Sequence, residues 1–212
     1  MERARASDRN TVRCFVGLPL PEAWQRGLDD LCGGLARALA SRIGWTKPGN
    51  WHVTLKFLGE VDEARLGELC AALAQVEFAP FSFRLGMAGS FGQRGAPRTL
   101  WAGLAQGAQE CARLAAGVER ALGPLGFVPE GREYRPHVTL GRVRRAAPGD
   151  GWEQAGQAVS QALGGPGFAS GCAGEFVLWR SILGPQGPKY LALRNFPARD
   201  RGRPDGGKDA PR

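Results

Sequence analysis

Both histidines of this 212-residue chain open the same tetrapeptide, His52-Val53-Thr54-Leu55 and His137-Val138-Thr139-Leu140. Three matching followers arise by chance on the order of 1 in 1,000 when each common residue has ~10% usage. Imidazole titrates near neutrality, so one ring can be protonated while its partner is neutral, and such a pair can give and take protons together at pH 7. A phosphodiester suits that division of labour. In-line displacement needs a nucleophile activated on one side of phosphorus and a leaving oxygen protonated on the other. Hydroxyls of Thr54 and Thr139 could bind the non-bridging oxygens that gain charge in the transition state. The plain alternative is a pair of structural histidines in similar strands. A single H-x-T would favour it; two identical copies holding every histidine reverse the odds.

Other chemistries find less support. A catalytic zinc wants about three protein ligands, yet no third histidine exists and no Cys or carboxylate lies within two residues of either His. No metal and no cofactor are therefore expected. There is no G-x-S-x-G, and Ser90 in Gly89-Ser90-Phe91-Gly92 reads as a turn. Around the second motif, Arg132, Tyr134, Arg135, Arg142, Arg144 and Arg145 form a basic cluster. It could engage phosphates or stack on a base, or be a solvated edge that discourages strand pairing. Arg142 lies five places after His137, so strict alternation turns it to the opposite face unless strand twist or a bulge at Gly141 brings it back. Phe15 and Trp51 could stack on a base or simply pack in the core.

Each His must be held by a strand. In a strand, His and the Thr two places later share a face, which sets Val53, Leu55 and Phe57, or Val138 and Leu140, against the core. Further strands are expected at Val12 to Leu18, Phe81 to Leu85, Thr99 to Leu104, Gly174 to Leu183 and Tyr190 to Phe196, with a Gly-rich connection from Gly86 to Pro97. Apolar spacings of three and four predict helices through Trp24–Leu39, Leu66–Val76, about Gln109–Leu122 and Trp152–Leu163, with Asp62 capping the second. The motifs stand 85 residues apart (137 − 52), which suits an internally duplicated two-lobe protein. Strands and helices mix without regular βα alternation, so the class is α+β with antiparallel sheet.

The net charge of +8 and pI near 9.8 lean towards a polyanionic partner. Residues 1–13 and 199–212 each carry a net +2, leaving +4 for the body. Residues 1–11 and 197–212 read as disordered tails around a single bilobed domain, 12–196. Five cysteines without a C-x-x-C pair read as reduced thiols. No secretory signal and no apolar run near 18 residues is seen, so a cytoplasmic monomer without a membrane partner is expected.

With these residues in hand, the chain resembles the RNA 2′,3′-cyclic phosphodiesterases of the two-histidine phosphoesterase superfamily, historically called 2′-5′ RNA ligases. The likeness covers roughly residues 12–196. It rests on Arg13 to Pro19, on Lys47 to Glu60 around the first motif, and on Tyr134 to Val143 around the second. The pattern Leu178, Ser181, Leu183, Gly187, Tyr190 and Leu193 completes it. The resemblance implies a bilobed fold with a pseudo-two-fold axis and a central groove lined by both H-x-T strands. It also implies metal-independent hydrolysis of RNA ends bearing a 2′,3′-cyclic phosphate to a 2′-phosphate. By motif, His52 would be the proton donor and His137 the proton acceptor. Thr54 and Thr139 would hold the phosphate and Arg142 would contact substrate, with Phe15 and Tyr134 as further candidates for substrate binding. Trp51 stands where the family usually has an aliphatic residue. Alternatives are another small cyclic phosphate, reversible 2′-5′ ligation at the same site, or a non-catalytic RNA- or nucleotide-binding module.

Overall fold

The computed structural model describes residues 10–93, 96–185 and 187–199. Among the described residues the strands are β1 Thr11–Pro19, β2 Arg42–Trp45, β3 His52–Asp62, β4 Phe81–Gln93, β5 Ala96–Gln106, β6 His137–Arg145, β7 Gly171–Ala173, β8 Glu175–Gly184 and β9 Gly187–Pro197. Four helices are α1 Glu22–Ala38, α2 Leu66–Leu73, α3 Ala108–Leu122 and α4 Trp152–Leu163. The strands join antiparallel in the order β7-β4-β5-β6-β3-β1-β8-β9, with β2 added to β6. The result is α+β, a single curled sheet with helices packed on one face.

The order around the middle is symmetric: β6 flanked by β5 and β4 mirrors β3 flanked by β1 and β8. Its centre is the pairing of Val53 with Val138, the middle residues of the two H-x-T motifs. Val53, Leu55, Val138 and Leu140 are each no more than 3% exposed and face the helices. Helix α1 buries Trp24, Leu28, Cys32 and Leu35, and Cys32 Sγ reaches the Leu140 carbonyl behind β6. Helix α3 buries Cys111, Leu114, Val118 and Leu122 and backs β3. Each half thus lends a helix to the other half's motif strand. Burial pushes the thiols of Cys14, Cys32 and Cys111 up to about 11, 12 and 12, which keeps them protonated.

Several expectations change. Strands β4 and β5 form one long hairpin where a Gly-rich connection was expected. The glycines make room: a Cβ on Gly86 would lie 2.4 Å from Ala105, and one on Gly89 2.1 Å from the Trp101 indole. Asp62 caps a 3₁₀ turn, Glu63–Arg65, ahead of α2, which stops before Val76. The four-residue β2 and three-residue β7 were not anticipated. Phe57, expected towards the core, is 56% exposed. Of the expected tails, 1–11 and 197–212, residues 1–9 and 200–212 lie outside the described residues, and the inner ends are tied down. Thr11 belongs to β1 and the Asn10 carbonyl accepts the Glu63 N–H at 2.9 Å. Arg199 N–H donates to Phe78 O at 2.9 Å, and the Arg199 guanidinium pairs with Glu77.

Candidate active site

With Val53 opposite Val138, antiparallel pairing sets His52 across from Thr139 and Thr54 across from His137. All four side chains take the face opposite the valines, towards the groove, with the two imidazoles on a diagonal. Diagonal neighbours in a ladder lie roughly 7–8 Å apart, room for one phosphate between the rings. The structure therefore brings together the four residues that the repeated motif singled out.

The two rings are held alike. His52 Nδ1–H donates to the Asn50 carbonyl at 2.8 Å, and His137 Nδ1–H donates to the Arg135 carbonyl at 2.7 Å. A carbonyl can only accept, so Nδ1 must carry the proton. Each neutral ring then keeps its lone pair on Nε2. Thr54 Oγ1 lies 3.0 Å from His52 Nε2. Asn50 is itself anchored by its side-chain amide on the Pro188 carbonyl at 2.7 Å.

Aromatic walls surround both rings. His52 meets Phe15, Tyr190 and Trp179 at 4.6, 5.2 and 5.7 Å between ring centroids. His137 meets Phe91 and Trp101 at 5.0 and 6.0 Å. Phe91, Trp101 and Trp179 were missed as site residues, because alternation could not say which face of β4, β5 or β8 turns to the groove. Phe15 sits beside His52, whereas Trp51 is 3% exposed and packs in the core. Tyr134 also packs against the core, and its hydroxyl donates to the Thr54 carbonyl at 2.9 Å.

Arg142 reaches the groove by a bulge. Opposite β5, Trp101 pairs with Thr139 but Leu100 pairs with Gly141, so Leu140 is the extra residue and alternation inverts after it. The same device appears in β3, where Gly17 pairs with Thr54 and Val16 with Lys56. That bulge turns Phe57 to the groove side, 6.3 Å from Phe15, and sends Lys56 inward, where its buried ammonium pairs with the partly exposed Glu119 at 2.9 Å.

Burial dominates the electrostatics. It lowers the His52 pKa to about 4, with the charges of His137 and Arg142 adding to the depression and the bond to Asn50 opposing it. His137 is lowered by burial and by Arg142 as well. Both rings are therefore neutral at pH 7. Between about 4 and the ordinary 6.5 the unfolded chain binds the His52 proton and the folded one does not. Stability consequently rises with pH across that window. On acidification from pH 6.5 to 4, the urea midpoint should fall, with a slope approaching about 1.4 kcal/mol per pH unit from this group. His52→Gln should flatten that limb; an unchanged limb would contradict the depressed titration.

A curled, internally duplicated α+β sheet carrying a mirrored pair of imidazoles in its groove defines the class. The LigT-like phosphoesterase family matches the chain twice, over residues 18–101 and 103–190. The two matches begin 85 residues apart (103 − 18), the same offset as the histidines. This chain belongs to the LigT-like phosphoesterase family. It is 37% identical over 185 residues to an RNA 2′,3′-cyclic phosphodiesterase of Archaeoglobus fulgidus, covering 87% of this chain and 99% of that one. A protein of the same description from Aeropyrum pernix is 36% identical over 154 residues, 73% of this chain and 85% of the relative. Among solved structures, TT0787 of Thermus thermophilus superposes with a TM-score of 0.71 at 29% identity, covering 89% of this chain and 99% of that one. E. coli LigT complexed with 3′-AMP gives a TM-score of 0.71 at 20% identity over 90% of this chain and 100% of that one, a likeness of fold.

Proposed function

We propose that this protein hydrolyses the terminal 2′,3′-cyclic phosphate of an RNA to a 2′-phosphate, using His52 and His137 as the acid–base pair. The observation that carries the reading is the diagonal of two Nε2-presenting imidazoles, each with a threonine beside it, on one groove floor. The names borne by the relatives support the substrate class.

In this reading the phosphodiester sits between the rings, its non-bridging oxygens taking hydrogen bonds from Thr54 and Thr139. His137 Nε2 takes a proton from water as the water oxygen forms its bond to phosphorus. The P–O3′ bond breaks in line, and His52 Nε2–H protonates the departing 3′ oxygen. One proton enters at His137 and one leaves from His52, so the pair resets by exchange with solvent. His52 must be charged to act as donor, and the bound anion supplies the opposite charge that favours its imidazolium. Arg142, whose field reaches both rings, offsets the charge that builds on phosphate. Phe15 holds the His52 ring in place. Tyr134 serves by fixing the Thr54 carbonyl and with it the strand.

The test is incubation with an RNA ending in a 2′,3′-cyclic phosphate, in the presence of a chelator. The expected product is a 2′-phosphate with a free 3′-hydroxyl, formed at an undiminished rate. A 3′-phosphate product would overturn the role assigned to the leaving 3′ oxygen. Loss of turnover with the chelator would overturn catalysis by the rings alone.

A further inference from the structure

Two bulges break the symmetry of the groove in charge. After the first, at Leu140, Arg142 points to the His137 face. Against β2, Gly44 pairs with Arg142, Ile43 with Val143, and Arg42 with Arg145, so Arg144 is a second extra residue. Alternation along β2 puts Arg42 on the same face as Gly44, and Arg145 follows its partner. The Arg144 guanidinium lies over Gly44, 3.5 Å from where a Cβ would stand. Arg42, Arg142, Arg144 and Arg145 are thus gathered on one face at one end of the groove, all exposed.

Like charges directly opposite in a sheet destabilise it, yet Arg42 faces Arg145 across the ladder. None of the four has an acidic partner among the described residues, whereas Arg65, Arg113, Arg135, Arg180 and Arg199 each have one. The neighbouring acid, Asp150, spends its two oxygens on the N–H groups of Ala40 and Ser41 at 2.8 and 3.0 Å. The mirror-related end is different. There the bulges of β3 present Phe57 and Glu60, the latter opposite Arg13. Four exposed guanidinium groups stand on one wing, against Arg13 facing Glu60 on the other, so the pseudo-symmetric groove has a direction.

We infer that the RNA strand leading to the cyclic phosphate leaves the groove over the β2–β6 wing, its backbone phosphates held by Arg42, Arg144 and Arg145. The inference rests on the hydrolase reading above. It makes the enzyme one for oligonucleotide ends, with the mononucleotide a poorer substrate. Spacing between successive phosphates would let the three guanidinium groups take consecutive linkages 5′ of the reacting one. Each such contact displaces condensed counterions and adds about 0.7 to the slope of log affinity against log salt for single strands.

The experiment compares kcat/KM for a nucleoside 2′,3′-cyclic phosphate and for a six-nucleotide RNA with the same terminal group. Both are measured from about 50 to 300 mM salt, on the full chain and on Arg42→Ala/Arg144→Ala/Arg145→Ala. Wild type should favour the oligonucleotide by about tenfold or more at low salt, with a salt slope near 2 for three contacts. The triple variant should lose that preference and that slope while turning over the mononucleotide within about twofold of wild type. Arg144→Glu alone should weaken only the oligonucleotide. Equal kcat/KM for the two substrates in wild type, or a triple variant that keeps the preference, would overturn the proposal. Failure of wild type on the mononucleotide as well as the oligonucleotide would overturn the hydrolase reading instead.

Discussion

His52→Ala and His137→Ala are each expected to lower turnover of a cyclic phosphate by about 10²–10⁴-fold in a protein that stays folded. The rings differ in what their loss removes. Without His137, water must attack as a neutral molecule. Without His52, the 3′ oxygen must leave as an alkoxide. A phosphodiester with a phenolic leaving group departs without needing a proton, so it should recover most of the His52→Ala loss and none of the His137→Ala loss. The fold should survive because both rings lie on the groove face and are half-buried, while the valines and leucines behind them make the core contacts. His52 also carries a desolvation penalty when charged, so its removal relieves the acid side of the stability profile. Single-turnover rates and thermal melts of both variants check this. Near-normal turnover in either variant would defeat the mechanism, and recovery in the wrong variant would exchange the roles.

Gly17→Ala should damage both stability and turnover. Gly17 pairs with Thr54 beside the first motif. A Cβ there would stand 2.6 Å from the Val53 carbonyl oxygen and 3.1 Å from the Trp179 ring. The obstacle is backbone, at the residue on which the two halves pair, so β3 must move and carry His52 and Thr54 with it. Overpacking of this kind destabilises by about 1–3 kcal/mol, and a displacement near 1 Å is enough to cost about 10²-fold in rate. Gly34→Ala in α1 is the control, since nothing lies within 4 Å of its Cβ position. In a helix interior it should stabilise by up to about 1 kcal/mol. A Gly17→Ala protein with wild-type melting and turnover would mean that the central register tolerates slack.

The repeated tetrapeptide makes the heart of this site legible in the sequence itself. Period-two alternation is a local rule, and His-to-Thr spacing lies within its reach. It failed just beyond, at Phe57 and Arg142, because one extra residue in a ladder inverts every later side chain and leaves no mark in composition. The Gly-rich stretch 86–92 misled for a related reason. Glycine signals a turn when read along the chain, but here it marks where strand β4 must lie close under Trp101 and Ala105 of its neighbour. The walls of the groove, Phe91, Trp101 and Trp179, were out of reach because they come from strands whose facing depends on the curl of the whole sheet. Tyr134 stood within the basic cluster in the chain, yet it packs inward and ties β3 from behind.

The chain's two histidines allow the shared hold on one phosphorus to be tested with two resonances. Imidazole ¹⁵N spectra of the full-length protein, titrated with pH in the absence and presence of inorganic phosphate, should show both rings as the Nδ1–H tautomer at pH 7. Both should titrate below 6.5, His52 at about 4, and both should move upward in pKa with one common saturation midpoint as phosphate is added. If either ring titrates at its ordinary value, or responds to phosphate while the other does not, the two do not share one phosphorus and the account fails.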